Sequence, residues 1–201
     1  VVSMSVAGTV VDVLVSGLAK ASLYAMMALG LTLIFGLLGV LNFAHGSLTM
    51  LGAYAAGLLM VTFAGTGVSA LVWFLVAGLT AGVLVGGLGA AMEVGLIRKL
   101  YDRPPIYQIL LTFGITLVID ELARIVVLFY AMQPQTDWQA ALGTKPAFIA
   151  DTLTVFGGTI NHLELFEILW GVLTVLAVWA FLNRTRYGLV VRAGSEDEDM
   201  A

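Results

Sequence analysis

Two groups of polar side chains stand out in a chain that otherwise avoids them. The first is NFAHG, Asn42–Gly46, inside the run from Ala21 to Met92, which contains no Asp, Glu, Lys or Arg. The second is Asp120, Glu121 and Arg124, which interrupt an apolar run beginning near Ile106. Asp120 and Arg124 are spaced i,i+4 and Glu121 and Arg124 i,i+3, so either acid can meet the guanidinium on one side of a helix. Two acids against one base leave one carboxyl without a partner inside that helix. A charge facing lipid at depth costs several kcal/mol, so the group must face protein, water or the outer headgroups. It reads either as a polar patch lining a translocation path or contacting another subunit, or as an ion pair that fixes packing near the outer interface.

NFAHG also has two readings. Asn42 and His45 favour a break in a helix, Gly46 tolerates the backbone angles of a restart, and Asn42 or Ser47 can cap the helix that follows. A broken helix suits a transporter, because irregular backbone is allowed in a membrane where it lines a cavity or is covered by protein. A short cytoplasmic or interfacial turn between two spans is the simpler alternative. A metal site at His45 is not expected, since the other histidine, His162, belongs to a different loop and the chain has no cysteine. There is no Ser–His–Asp arrangement with placeable roles, no HExxH and no GxxxxGK[ST], so neither catalysis, ATP hydrolysis nor a cofactor is expected of this chain.

The elements that carry these residues follow from composition. Hydrophobic residues make up 60% of the 201 and charged residues 11%, against about 25% charge in a soluble domain; mean hydropathy is +1.02. The solvent must be largely lipid. Lys and Arg total nine, not gathered on one long face, which argues against nucleic acid as a partner. The first residues, VVSMSVAGTVVDVL, lack the basic region of a signal peptide. A crossing needs about 20 apolar residues. Five segments qualify: Val11–Leu38, Ser47–Phe63, Ala70–Ile97, Ile106–Met132 and Leu163–Leu182. The expected fold is all-α, a polytopic transmembrane helical bundle, with a broken or re-entrant helix at Asn42–Gly46 as one reading.

Charge supplies orientation. Arg98, Lys99 and Arg103 follow the third segment and Arg184, Arg186 and Arg192 the fifth, whereas Gln133–His162 has Lys145 against Asp137 and Asp151. The positive-inside rule puts both basic loops in the cytoplasm and residues 133–162 outside. With five crossings the N-terminus is outside; if Ser47–Phe63 does not cross, it is inside. The external loop contains TLTVFGG, a strand-like run ending in a turn signal, and Trp138, suited to the headgroup level. Gly78, Gly82, Gly86 and Ala90 repeat every four residues, a small-residue face for close helix approach within this subunit or against a second one. In the tail, Ser195 and Glu198 match a capping box, with Glu196 and Asp197 favouring the first turn. Such a helix is too short to be stable alone, so it reads either as a partner-bound helix or as a frayed acidic end.

Taken together, LYAMMALGLTLIFGLLGVLNFAHGSLTMLGAYAA, RPPIYQILLTFGITLVIDELARIV and TRYGLVVRAGSEDEDMA resemble the permease family of branched-chain amino-acid ATP-binding-cassette importers, the LivH type. The resemblance spans nearly the whole chain and implies that family members continue past Ala201 with further spans. GSEDEDMA is more acidic than the family pattern at that point. The resemblance implies one transmembrane permease domain over residues 1–201, a cytoplasmic coupling segment over 183–201, and multi-pass residence in the cell inner membrane. It implies separate ATP-binding subunits, a second related permease subunit and a soluble substrate-binding protein as partners, beside membrane lipid. Coupling to the ATPase would fall to Arg192, Ser195, Glu196, Asp197 and Glu198. The candidates for substrate path or packing are Asn42, His45, Thr112 of the TFG hallmark, Asp120, Glu121 and Arg124. The implied cargo is a branched-chain or related hydrophobic amino acid. A urea or short-amide importer and a self-sufficient channel or secondary transporter are the alternatives.

Overall fold

The computed structural model describes residues 5–63, 69–129, 149, 151–186 and 188–189. It divides into two compact units, Val1–Gly39 with Ala147–Ala201, and Val40–Pro146.

The first unit contains α1 (Val6–Leu38), the strands β1 (Thr152–Val155) and β2 (Gly158–Asn161), and the last helix, which follows β2 at His162–Arg184. Ser5 starts α1: its Oγ accepts the Gly8 N–H at 3.0 Å, satisfying one of the unpaired donors of the first turn. Gly39 ends it in the left-handed region at φ 62°, with its N–H bonded to the Phe35 carbonyl. β1 and β2 pair antiparallel from Thr152↔Asn161 to Val155↔Gly158. Phe156 and Gly157 turn between them with φ 51° and 83°, the doubly positive turn whose twist matches a hairpin. TLTVFGG is therefore a hairpin.

Contacts climb α1 in regular steps. Ser5 Oγ donates to the Phe156 carbonyl at 2.8 Å, Asp12 Oδ1 accepts the Thr159 N–H at 2.7 Å, and Ser16 Oγ donates to Glu164 Oε1 at 2.5 Å. A Cβ added to Gly8 would lie 2.6 Å from the Gly157 carbonyl carbon, and one added to Gly171 would lie 2.6 Å from Ser22 Cβ. Both sequence positions rise together, so α1 and the last helix run parallel and start at the same end of their unit.

The second unit contains α2 (His45–Phe63), α3 (Ala70–Gly95), a 3-10 turn (Ile97–Leu100) and α4 (Pro105–Phe129); the closing helix of the first unit, His162–Arg184, is α5. Pro105 opens α4, where its missing N–H costs nothing. α3 lies antiparallel to α2: Val85 meets the open side of Gly52, and Met92 joins Ala44 and Leu48 in a buried cluster against which Ile115 and Ile119 of α4 pack. The glycine stripe expected to make close helix contacts within the subunit does not. Gly78, Gly82 and Gly86 are exposed, and a Cβ on any of them would meet nothing within 4 Å. The small residues that are buried, Ala77 and Ala81, stand one position earlier.

All five expected segments are helical, with α1 starting five residues sooner because Ser5 caps it. Val6–Gly36, Leu71–Leu100 and His162–Arg184 are the described helices long and apolar enough to cross a membrane. The fold is that of a polytopic helical membrane protein. Trp138, with most of 133–162, and Arg192, Ser195, Glu196, Asp197 and Glu198 lie outside the described residues.

Candidate functional site

NFAHG is a packed turn that launches α2. Asn42 is buried; its Oδ1 accepts the Ala44 N–H at 3.0 Å, and its carbonyl accepts the His45 N–H at 3.2 Å. This side-chain turn, built on asparagine's short amide, satisfies backbone that would otherwise be orphaned. His45 is partly buried as the first residue of α2, and its carbonyl accepts the Thr49 hydroxyl. Ser47, the other candidate cap, does not cap. It sits inside the first turn of α2, where Asn42 already holds the chain entry, and its Oγ donates instead to Asp120 Oδ1 at 2.6 Å.

Thr112 is completely buried at 0% exposure. Its Oγ lies 2.9 Å from the Gln108 carbonyl, 3.2 Å from that of Ile109 and 3.3 Å from that of Leu41. With a single proton it donates to one of these at a time, and the third ties α4 to the strand of chain entering the turn. Gln108, also buried, donates from Nε2 to the Leu100 carbonyl at 3.1 Å and so closes the 3-10 turn onto α4.

In α4 the acids divide. Arg124 takes Glu121 through two parallel bonds, Nε to Oε2 at 3.0 Å and Nη2 to Oε1 at 2.6 Å, a bidentate pair. The leftover acid is Asp120, and it belongs to Ser47. That pairing overturns the placing of the group near the outer interface. Leu41 stands level with Thr112 and Ser47 with Asp120, so α2 and α4 run parallel. α2 continues 16 residues beyond Ser47, about 24 Å. Asp120 is thus at the end of the unit where α2 begins, and Arg98, one turn past the end of α3, is at that end too. The Glu121 and Arg124 side chains are 52% and 68% exposed.

The basic turn has its own polar knot. Arg98 Nε lies 3.9 Å from Glu93 Oε1, and the Tyr101 hydroxyl donates to the same carboxylate. Burial, then the bond to Glu93, pushes the Tyr101 phenol up to about 12. Beyond the Asn42 turn, α2 and α4 diverge around an apolar cleft of about 410 Å³ floored by Leu88 of α3.

The structure therefore joins Asn42, Thr112 and Asp120 into one polar end of the second unit, sets the Glu121–Arg124 pair apart, and links them by two partners the sequence did not signal: Ser47 as the donor to Asp120, and the Leu41 carbonyl. Gln108 was missed as well, although a lone amide in an apolar run was a visible signal.

The family described as "Branched-chain amino acid transport system / permease component" matches residues 13–201. Similar curated proteins include the high-affinity branched-chain amino acid transport system permease proteins BraD of Pseudomonas aeruginosa, 25% identical over 190 residues, and LivH of Escherichia coli K12, 25% identical over 192. The matches cover 93% and 92% of this chain, which spans 59% of the length of each relative. LivH of Salmonella typhimurium is 24% identical over 192 residues, again covering 92% of this chain and 59% of that protein. No solved structure matches significantly. With the signature turn, the polar end of α4 and all but the first dozen residues inside that match, the chain belongs to the branched-chain amino acid transport permease family.

Proposed function

We propose that this chain is the membrane permease subunit of an ATP-binding-cassette importer for branched-chain or related hydrophobic amino acids, resident in the cell inner membrane. Energy would come from separate ATP-binding subunits, and cargo from a soluble substrate-binding protein. A second related permease would complete the path. The observation that carries this reading is the family match over residues 13–201. The polar end of α4 is consistent with it: Glu121 and Arg124 stand exposed on a spanning segment, which lipid would penalise, so this side faces the path or the second permease.

The sidedness is part of the proposal. α1 and α5 start at one end of their unit, and α5 follows the loop 133–162, which carries little positive charge. Both starts are then external. Arg98, Lys99 and Arg103 keep the end of α3 inside, so α2 must cross outward for the count to close, giving five crossings and an external N-terminus. Single cysteines at Lys99 and Asp151, in a chain with no native cysteine, report this directly. An impermeant thiol reagent on intact cells should label Asp151→Cys and spare Lys99→Cys; the reverse pattern refutes the topology.

The segment 183–201 is proposed as the coupling segment, with Arg192, Ser195, Glu196, Asp197 and Glu198 as its contact residues. Reversing the charge of Glu196 and Asp197 sets two positive charges against the start of a short helix and a basic partner rim. Uptake of labelled leucine by the full assembly in liposomes should fall while insertion is unchanged. Normal uptake with normal ATPase association removes the segment from the interface. Uptake of urea or short amides in place of leucine returns the alternative cargo, and uptake without any ATPase returns the free-standing transporter.

A further inference from the structure

We infer that the cleft between α2 and α4 is a binding site for bilayer acyl chain, distinct from the substrate path. Its walls are Leu51, Ala55 and Leu58 on α2 and Leu122, Ala123 and Val126 on α4, with Leu88 of α3 as the floor. The lining has no charged side chain, and Tyr54 brings its one hydroxyl. An amino acid arrives with an ammonium and a carboxylate, and neither would find a partner there; an uncompensated buried charge is prohibitively costly. The occupant must be apolar along its whole length.

Size decides between lipid and protein. The cleft follows α2 from Leu51 to Leu58, about 10 Å of helix. A volume of about 410 Å³ then gives a mean cross-section of about 40 Å². A helix with its side chains is about 10–12 Å across, or about 80–110 Å², and does not fit. A methylene chain packed at carbon separations of about 4 Å needs about 20 Å², so one bent chain or two straight ones fill the space. Depth agrees: Leu88 lies in the middle of Leu71–Leu100, a stretch apolar enough to cross a membrane. The cleft faces the hydrocarbon layer, and a void there loses the dispersion contacts of every lining atom. Glu121 and Arg124 are not among the lining residues, and their charges cancel in one pair, so headgroup charge plays no part in selection.

The test uses the protein reconstituted in phosphatidylcholine bilayers containing a lipid with a photoreactive acyl chain, with labelled residues read by peptide mass spectrometry. Leu88 should be labelled as strongly as Val83, which is 75% exposed on the same helix. Ala123→Phe, or Ala55→Phe if the first variant folds poorly, should fill the cleft and suppress labelling at Leu88 while leaving Val83 unchanged. Replacing the zwitterionic headgroup by an anionic one should change neither site. Labelling of Val83 with protection of Leu88 would mean that protein covers the cleft and would overturn the assignment. Equal labelling of Leu88 in the parent and the filled variants would overturn it too.

Discussion

The two units of this chain solve the same problem differently. In the first, polar and backbone contacts recur along α1 at Ser5, Gly8, Asp12, Ser16 and Ser22, so the hairpin and α5 are fastened to it over about 25 Å. In the second, the polar contacts between α2 and α4 gather at one end, at Leu41, Asn42 and Ser47, and the helices part above them. A helix pair tied at every turn moves as one body; a pair tied at one end has a hinge. The difference places rigidity in α1–hairpin–α5 and freedom in the upper halves of α2 and α4.

The largest expected effect comes from glycines that look alike in the sequence. Gly8→Leu drives a side chain into the backbone at Gly157 and should destabilise the first unit by about 1–3 kcal/mol or more. Gly82→Leu, with open space around it, should leave this chain's stability within about 0.5 kcal/mol of the parent. Denaturation of the purified protein in detergent measures both, and equal losses would erase the contrast between a fastened helix and an open one.

A smaller effect should separate the two serines. Ser47→Ala removes the sole printed donor to Asp120 at the hinge and should cost about 1–2 kcal/mol, with faster amide exchange along α2. Ser16→Ala removes one of several fastenings, so exchange should change around Glu164 and not along the rest of α1. If exchange spreads along α1 just as far, the rigid-body description fails.

The smallest effect lies at the basic turn. The Tyr101 phenol is raised by burial and by its bond to Glu93, so the neutral form is favoured in the folded state. Its contribution is fully present below the ordinary phenol value of about 10 and is lost only as pH rises through about 12. Between pH 5 and 9 Tyr101→Phe should show no pH-dependent change in stability, and the difference in phenolate absorbance between parent and variant should have its midpoint near 12. A midpoint at 10 would remove the bond to Glu93.

Much of this was legible in the residues. Five apolar runs declared five helices, because backbone in lipid must satisfy its own hydrogen bonds. TLTVFGG declared a hairpin through β-branched residues before a glycine turn. Asn42 as a cap followed from its short amide before an apolar run, and the Glu121–Arg124 pair from i,i+3 spacing. The glycine stripe failed for a physical reason. Periodicity gives a face but not its neighbour, and α2 lies one residue round, against Ala77, Ala81 and Val85.

Composition, charge asymmetry and local spacing by themselves determined a helical membrane chain, its basic loops, the turn at Asn42 and the pairing inside α4, because each depends on residues within a few positions of one another or on the solvent they require. Tertiary structure alone decided that Ser47, 73 residues away, holds Asp120, that Thr112 reaches Leu41, that α1 and α5 run parallel, and that α2 and α4 part around an apolar cleft. Those contacts join segments whose local patterns are complete without each other, and only the packing of helix on helix selects which of many compatible partners meet.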